Sequence, residues 1–155
     1  MHQSYRFAII YFVLFGVLLL VSGALLFLTK MGLSVEGVQS FYLGSAAHFA
    51  QPKTPYGLLE TALPHLGAMG LFIFVLGHFM LFGTKQEKRQ SILPVKLLFV
   101  AALVDIGSGF MIIEGWHLFV TLKIITFLTL QLTAFYLLFL LFRSTLRSIT
   151  KQHRR

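Results

Sequence analysis

Three histidines lie in or beside apolar stretches of the chain, where an imidazole has no obvious soluble role. His65 and His78 fall within one apolar stretch, and His117 opens another. An imidazole in hydrocarbon is costly, so ionisable side chains of spanning helices usually face the interior of a bundle or a functional site. Imidazoles from neighbouring helices can ligate the iron of a b-type haem from both sides. The three histidines are therefore candidate ligands of haem iron.

The spacing of these histidines favours one haem over two. His65 and His117 each lie near the predicted outer end of their stretch, where they could ligate one haem together. His78 follows His65 after 13 positions, which is about 20 Å along a helix and a turn of about 220°. The two imidazoles then lie on different faces. A second haem at His78 would need Met80 or an open iron position on its other side.

A pair of opposite charges, Asp105 and Lys123, is the second candidate site. The two residues lie on either side of a short turn at 114–116, about 15 Å and about 10 Å from it along their helices. A lysine side chain can span that difference, and pairing is the usual remedy for a charge in the membrane. We expect either an ion pair that fixes two helices or a proton, ion or quinone site. Further polar steps for a relay would be Glu114, Thr121, Thr126 and Gln131.

Four apolar stretches must position these residues. Each is close to or above the roughly 20 residues that a helix needs to cross a bilayer. With 57 % hydrophobic and 12 % charged residues, the sequence predicts an all-α bundle of four transmembrane helices, forming one integral membrane domain over residues 1–155. The longest polar connection, 29–63, leaves no room for a separate soluble domain. The predicted spans are residues 7–28, 64–82, 94–113 and 117–142.

The 29–63 loop is not featureless. After Ser34, a plausible N-cap, apolar residues recur at near-helical spacing up to about residue 49, with polar residues between them. This pattern predicts a short amphipathic helix on the outer membrane face. His48, in the same loop, is interpreted as an exposed loop residue. Pro52 and Pro55 then predict a turn into the second span.

The basic residues are distributed asymmetrically along the chain. Ten of the thirteen lysines and arginines fall at Arg6, between residues 85 and 96, and in the tail 143–155. These segments lie on one side if four helices span, which predicts that both termini and the basic tail are cytoplasmic. Anionic lipid headgroups are the expected partner of the tail, and nucleic-acid binding is not expected despite the net charge of +8. The small size and the absence of eukaryotic targeting signals indicate a bacterial inner membrane.

Several chemistries are excluded or unsupported. The chain has no cysteine, which rules out disulfides, thiolate metal sites, iron–sulfur clusters and covalently attached haem. It has no Ser/His/Asp arrangement, phosphate loop or HExxH motif. We therefore expect a non-catalytic subunit rather than an enzyme.

The four spans, with histidines at 65, 78 and 117, resemble the small four-helix membrane b-type cytochromes. The resemblance implies haem b ligated by His65 and His117, with His78 a ligand of another haem, and electron transfer within a respiratory-type complex with other membrane subunits. Two other hypotheses fit the same residues. One is a cofactor-free accessory or assembly subunit, and the other is a small proton or ion conductor that uses Asp105 and Lys123.

Overall fold

The computed structural model describes residues 3–46 and 49–152, with side chains at 5–46 and 49–147. Within these residues the fold is all-α, and four of its five helices are long and apolar enough to cross a membrane. The prediction of a four-span bundle with one short additional helix is confirmed. His48 lies outside the described residues. The helices are α1 (Gln3–Lys30), α2 (Val35–Leu43), α3 (Pro55–Met80), α4 (Lys85–Ile113) and α5 (Leu118–Gln152).

Helix α2 is the amphipathic helix predicted in the 29–63 loop. The Ser34 hydroxyl caps it by accepting a hydrogen bond of 3.0 Å from the backbone N–H of Gly37. The helix ends at Gly44, whose φ of 83° suits glycine, so it is shorter than the apolar pattern suggested. Its Val38 and Tyr42 are buried. Because α2 contacts α4 and α5, it forms a cap over one end of the bundle, called the α2 end below.

The connection between α3 and α4 differs from the prediction. The predicted spans 64–82 and 94–113 leave residues 83–93 as a connection, but α4 begins at Lys85. The cause is a capping box: Glu87 Oε2 accepts from the Thr84 backbone N–H at 2.8 Å, and Thr84 Oγ1 accepts from the Glu87 N–H at 3.3 Å. At the other end of the chain, α5 continues through the predicted basic tail as far as Gln152.

Helices α4 and α5 form the centre of the bundle. They are joined by the short turn predicted at 114–116, where Gly115 has a φ of 89°. Helix α3 packs on α4, and α1 packs on α5. One core cluster fills the middle and the end opposite α2, around Ile73, Leu76 and Leu137. A second cluster at the α2 end joins Phe27, Val38, Tyr42, Leu58, Ile112 and Val120.

Helices α1 and α3 meet through aromatic rings at the end opposite α2. Phe12 stacks on Phe72 with ring centroids 5.6 Å apart and meets Phe79 edge-on at 5.1 Å. These residues come from the first half of α1 and the second half of α3. Nearer the α2 end, a Cβ added at Gly67 or Gly70 would meet nothing within 4 Å. The face of α3 that carries these two glycines is therefore open.

Candidate functional site

The α4–α5 hairpin brings Asp105 and Lys123 together. The Lys123 ammonium donates to Asp105 Oδ2 at 2.9 Å and to the backbone carbonyl oxygen of Asp105 at 2.7 Å. The side chain of Lys123 is 8 % exposed and that of Asp105 is 16 % exposed. Two opposite charges are thus paired and largely removed from the bundle surface, as the cost of an isolated charge in hydrocarbon requires.

Hydroxyl groups surround this ion pair. Ser108 Oγ donates to the backbone carbonyl of Asp105 at 2.7 Å, and the Thr126 hydroxyl lies 3.4 Å from Asp105 Oδ1. The single hydrogen of the Thr126 hydroxyl also has the Leu122 carbonyl as an acceptor, at the shorter distance of 2.9 Å. The Asp105 carboxylate is therefore stabilised mainly by Lys123, and the Asp105 backbone carbonyl accepts from both Lys123 and Ser108.

The capping helix α2 places Tyr42 beside this ion pair. Tyr42 is 5 % exposed, and it is close enough to Lys123 for the ammonium charge to act on the pKa of its hydroxyl. Burial raises the pKa of the Tyr42 hydroxyl above its usual value of 10.0, and the positive charge of Lys123 partly opposes that rise. The phenol therefore stays neutral at physiological pH and closes the ion pair from the α2 end.

Tyr42 is the member of this site that sequence reasoning missed. In the sequence it is one of the residues that recur at near-helical spacing after Ser34. The signal was present in the spacing, since Val38 and Tyr42 are four residues apart and share one helix face. A tyrosine on the buried face of a helix usually brings its hydroxyl to a polar partner. The available partner was the predicted charge pair.

The three candidate haem ligands are all exposed side chains. His65 and His78 project from α3, and His117 precedes α5. The His117 Nδ1 lies 3.4 Å from Gln39 Nε2, while the His78 ring lies near the rings of Phe74 and Phe82. Among the side chains at 5–46 and 49–147, no group of three or more histidine or acidic residues is placed to hold a metal ion. The three histidine side chains lie on the outside of the bundle.

His65 differs from the other two histidines in its position. It is seven residues from both Leu58 and Phe72, so the three share one face of α3. Leu58 and Phe72 are buried, but His65 between them is exposed. The aromatic contacts between α1 and α3 lie farther along the helix, at Phe72 and Phe79, and do not cover His65. A group bound there would have to enter from the surrounding lipid or from a partner.

Comparison with known proteins agrees with the architecture. A family of transmembrane helical domains matches residues 32–154, which covers α2 to α5 and most of the chain. No curated protein matches the sequence. No solved structure matches it either. The match includes the capping helix, the Asp105–Lys123 pair and all three candidate histidines. With its four apolar spans, the chain is a multi-pass membrane protein and belongs to this family of transmembrane helical domains.

Proposed function

We propose that the protein is an accessory subunit of a membrane complex, whose buried ion pair holds its own fold and whose α3 helix contacts a partner. The observation that carries this proposal is the enclosure of Lys123 by contacts within the chain. Its ammonium donates to Asp105 Oδ2 and to the Asp105 carbonyl, and its side chain is 8 % exposed. Tyr42 of α2 is buried beside it. An ammonium enclosed in this way is poorly placed to bind a substrate or a mobile ion, so the site holds α2, α4 and α5 together.

The open part of α3 is the surface offered to a partner. Gly67 and Gly70 have free space above their Cα atoms, and small residues let the backbones of two membrane helices approach closely. Leu71 and Phe74 on neighbouring positions are exposed and would add apolar contacts. A transmembrane helix of another subunit fits this combination of a flat glycine surface and flanking large side chains.

Substitution of the glycines tests this proposal. Gly67→Leu with Gly70→Leu should release the protein from its native complex, measured as the apparent mass on native electrophoresis after extraction with a mild detergent. Ser22→Leu on the exposed side of α1 is the matched control and should leave the complex intact. A wild-type protein that migrates at the mass of one chain, or glycine variants that migrate like wild type, would contradict the proposal.

Ligation of b-type haem is the second candidate function, and the open face at His65 is the observation that favours it. In this proposal His65 and His117 serve an outer haem and His78 a further one, each completed from the lipid or partner side because none of the three is buried. A bound haem would supply one-electron transfer. A reduced-minus-oxidised spectrum with pyridine-haem quantification of the native complex tests it. Loss of the signal in His65→Ala but not in His2→Ala supports it, and a haem-free complex refutes it.

A proton or ion relay through Asp105 and Lys123 has less support. Beyond Thr126, the next polar residue of α5 that faces a neighbouring helix is Gln131, whose amide donates to the Leu20 carbonyl of α1 at 3.2 Å. This hydrogen bond links α5 to α1 and does not continue a polar path from Asp105. If the pair nevertheless conducts, proteoliposomes of Asp105→Asn/Lys123→Gln should lose a proton flux that wild type has.

We propose the orientation from the charges: the α3–α4 connection and both termini face the cytoplasm of a bacterial inner membrane. The support is the exposure of Lys85, Lys88 and Arg89 at the start of α4, opposite the α2 end. The chain has no cysteine, so single substitutions can report sidedness. In intact cells an impermeant maleimide should label Glu36→Cys and not Gln86→Cys. The reverse pattern would invert the topology.

A further inference from the structure

A groove runs between α4 and α5 in the half of the bundle away from α2. Its volume is about 250 Å³. Leu93 and Leu132 on its two sides are 74 % and 71 % exposed, so it opens to the surroundings of the bundle and not to the core. The lining residues are Leu93, Pro94, Leu97, Leu132, Thr133 and Tyr136.

Two arginines lie at one end of this groove. Arg89 precedes Leu93 by one helical turn, about 6 Å, and Arg143 follows Tyr136 by two turns, about 10 Å. Seven residues turn a helix by almost two full circles, so Arg143 lies on the same face of α5 as Tyr136. Both arginines are exposed. Each therefore extends the groove with a cation at the level where the spans leave the apolar region.

The relative depth of the two arginines is fixed by a contact between their helices. Ser144 Oγ donates to Glu87 Oε2 at 3.1 Å, and Arg143 and Arg89 are one and two residues away from this pair. The Cα atoms of the two arginines thus lie at nearly the same depth in the bundle. Arg89 is about 200° around α4 from Glu87 but only about 40° from Leu93. It therefore borders the groove on the side of Leu93, as Arg143 does on the side of Tyr136.

The positive charge at this mouth has no acidic partner within residues 5–46 and 49–147. The nearest carboxylate, Glu87, is engaged by Thr84 and Ser144 and lies 3.8 Å from the guanidinium of Arg147. Among the described side chains, no acidic group pairs with Arg89 or Arg143. An apolar groove that ends in two unpaired cations is complementary to a molecule with a long apolar part and an anionic head.

We propose that this groove is a binding site for an anionic phospholipid, with one acyl chain along the α4–α5 groove and the phosphate between Arg89 and Arg143. The site lies on a different part of the surface from the α3 face and is independent of the function proposed above. A soluble anion would satisfy the arginines and leave the groove open. A lipid satisfies both, and it is present wherever a multi-pass membrane protein is folded.

Lipid titration of the detergent-purified protein, followed by native mass spectrometry, tests the proposal. Phosphatidylglycerol should bind more tightly than phosphatidylcholine with the same acyl chains. Arg89→Gln/Arg143→Gln should weaken phosphatidylglycerol binding by about fivefold for each cation removed. Lys30→Gln/Lys53→Gln, which removes the same charge at the α2 end, is the matched control and should bind like wild type.

A second variant tests the contribution of the apolar groove separately from that of the two arginines. Thr133→Trp fills the groove without altering the arginines and should lower the binding of phosphatidylglycerol, while the melting temperature checks that the variant is folded. Equal binding of the two lipids by wild type, or equal weakening in the arginine and lysine variants, would overturn the proposal. Displacement of the lipid by millimolar inorganic phosphate would also overturn it, since the site would then recognise phosphate alone.

Discussion

The ring of Tyr42 lies directly against the backbone of Gly109. A Cβ added at Gly109 would lie 3.0 Å from Cε1 of Tyr42 and 3.2 Å from its hydroxyl oxygen. The glycine therefore allows α2 to approach α4 closely enough for Tyr42 to reach Lys123. This contact connects the capping helix to the ion pair.

The first prediction concerns this contact. Gly109→Ala should destabilise the protein by about 1–3 kcal/mol, because the added methyl group forces the Tyr42 ring to move in a packed site. Gly107→Ala is the matched control, since a Cβ there meets nothing within 4 Å. That change should instead stabilise α4 by about 0.5–1 kcal/mol, the usual gain of alanine over glycine in a helix. Unfolding in mixed micelles with increasing dodecyl sulfate measures both, and equal effects would refute the role assigned to Gly109.

The second prediction concerns the ion pair. Lys123→Met leaves the Asp105 carboxylate unpaired and should cost about 3–5 kcal/mol, whereas Asp105→Leu/Lys123→Met should cost clearly less than the sum of the single changes. Arg147→Met is the comparison, because Arg147 is an exposed partner of Glu87 at 3.8 Å and should contribute less than about 1 kcal/mol. A double-mutant cycle on the free energy of unfolding gives the coupling. Additive effects at Asp105 and Lys123 would show that the two side chains do not act as a unit.

The third prediction concerns pH. The pKa of Tyr42 is raised by burial above 10.0 in the folded protein, so the folded state keeps a proton that the unfolded chain releases in alkaline solution. The stability from the neutral phenol is complete below about pH 10 and is lost as the pH rises through the folded-state pKa. Tyr42→Phe should lose less stability than wild type between pH 9 and 11, because it has no phenol to ionise. Tyr56→Phe, at an exposed tyrosine, should behave like wild type, and identical alkaline profiles for all three proteins would contradict the buried neutral phenol.

The fourth prediction concerns the start of α4. Thr84→Ala removes the side-chain acceptor of the capping box and should cost about 1 kcal/mol of stability. Gln86→Ala, at an exposed position two residues later, should have little effect. Hydrogen exchange of the amides at 85–90 is the measurement, with faster exchange expected only in the Thr84 variant. Unchanged protection would mean that the contacts of Glu87 with Ser144 hold the first turn without the cap.

The sequence predicted the membrane architecture because apolar length is a direct consequence of bilayer thickness. It also placed Asp105 and Lys123 at compatible depths, since the short turn at 114–116 fixes the register of the two helices. The additional helix α2 followed from Ser34 and the apolar spacing after it. In each case the information is local, within one helix or one tight turn.

Other features of the fold and the site depend on contacts between segments that are distant in the sequence, or on local signals that favour different structures. The polar run at 85–90 suggested a connection, but Thr84 and Glu87 form a capping box that extends the helix through it. Tyr42 reaches Lys123 only because α2 folds back over the bundle, which no spacing within α2 specifies. The ring contacts of Phe12 with Phe72 and Phe79 lie beyond His65 on α3, and hydropathy alone does not predict where on two helices such contacts form.

The two bonds between Lys123 and Asp105 also bear on how the chain enters the membrane. The transfer of a single charged lysine or aspartate from water into lipid has a high free-energy cost. In this protein the two opposite charges lie 18 positions apart, on consecutive helices. If α4 and α5 partition into the bilayer as one preformed hairpin, the charges cancel before they leave water. Helix α1 contains no charge between Arg6 and Lys30 and can be inserted alone. Biogenesis of this protein is thus expected to proceed with α1 first and the α4–α5 hairpin as a single concerted unit.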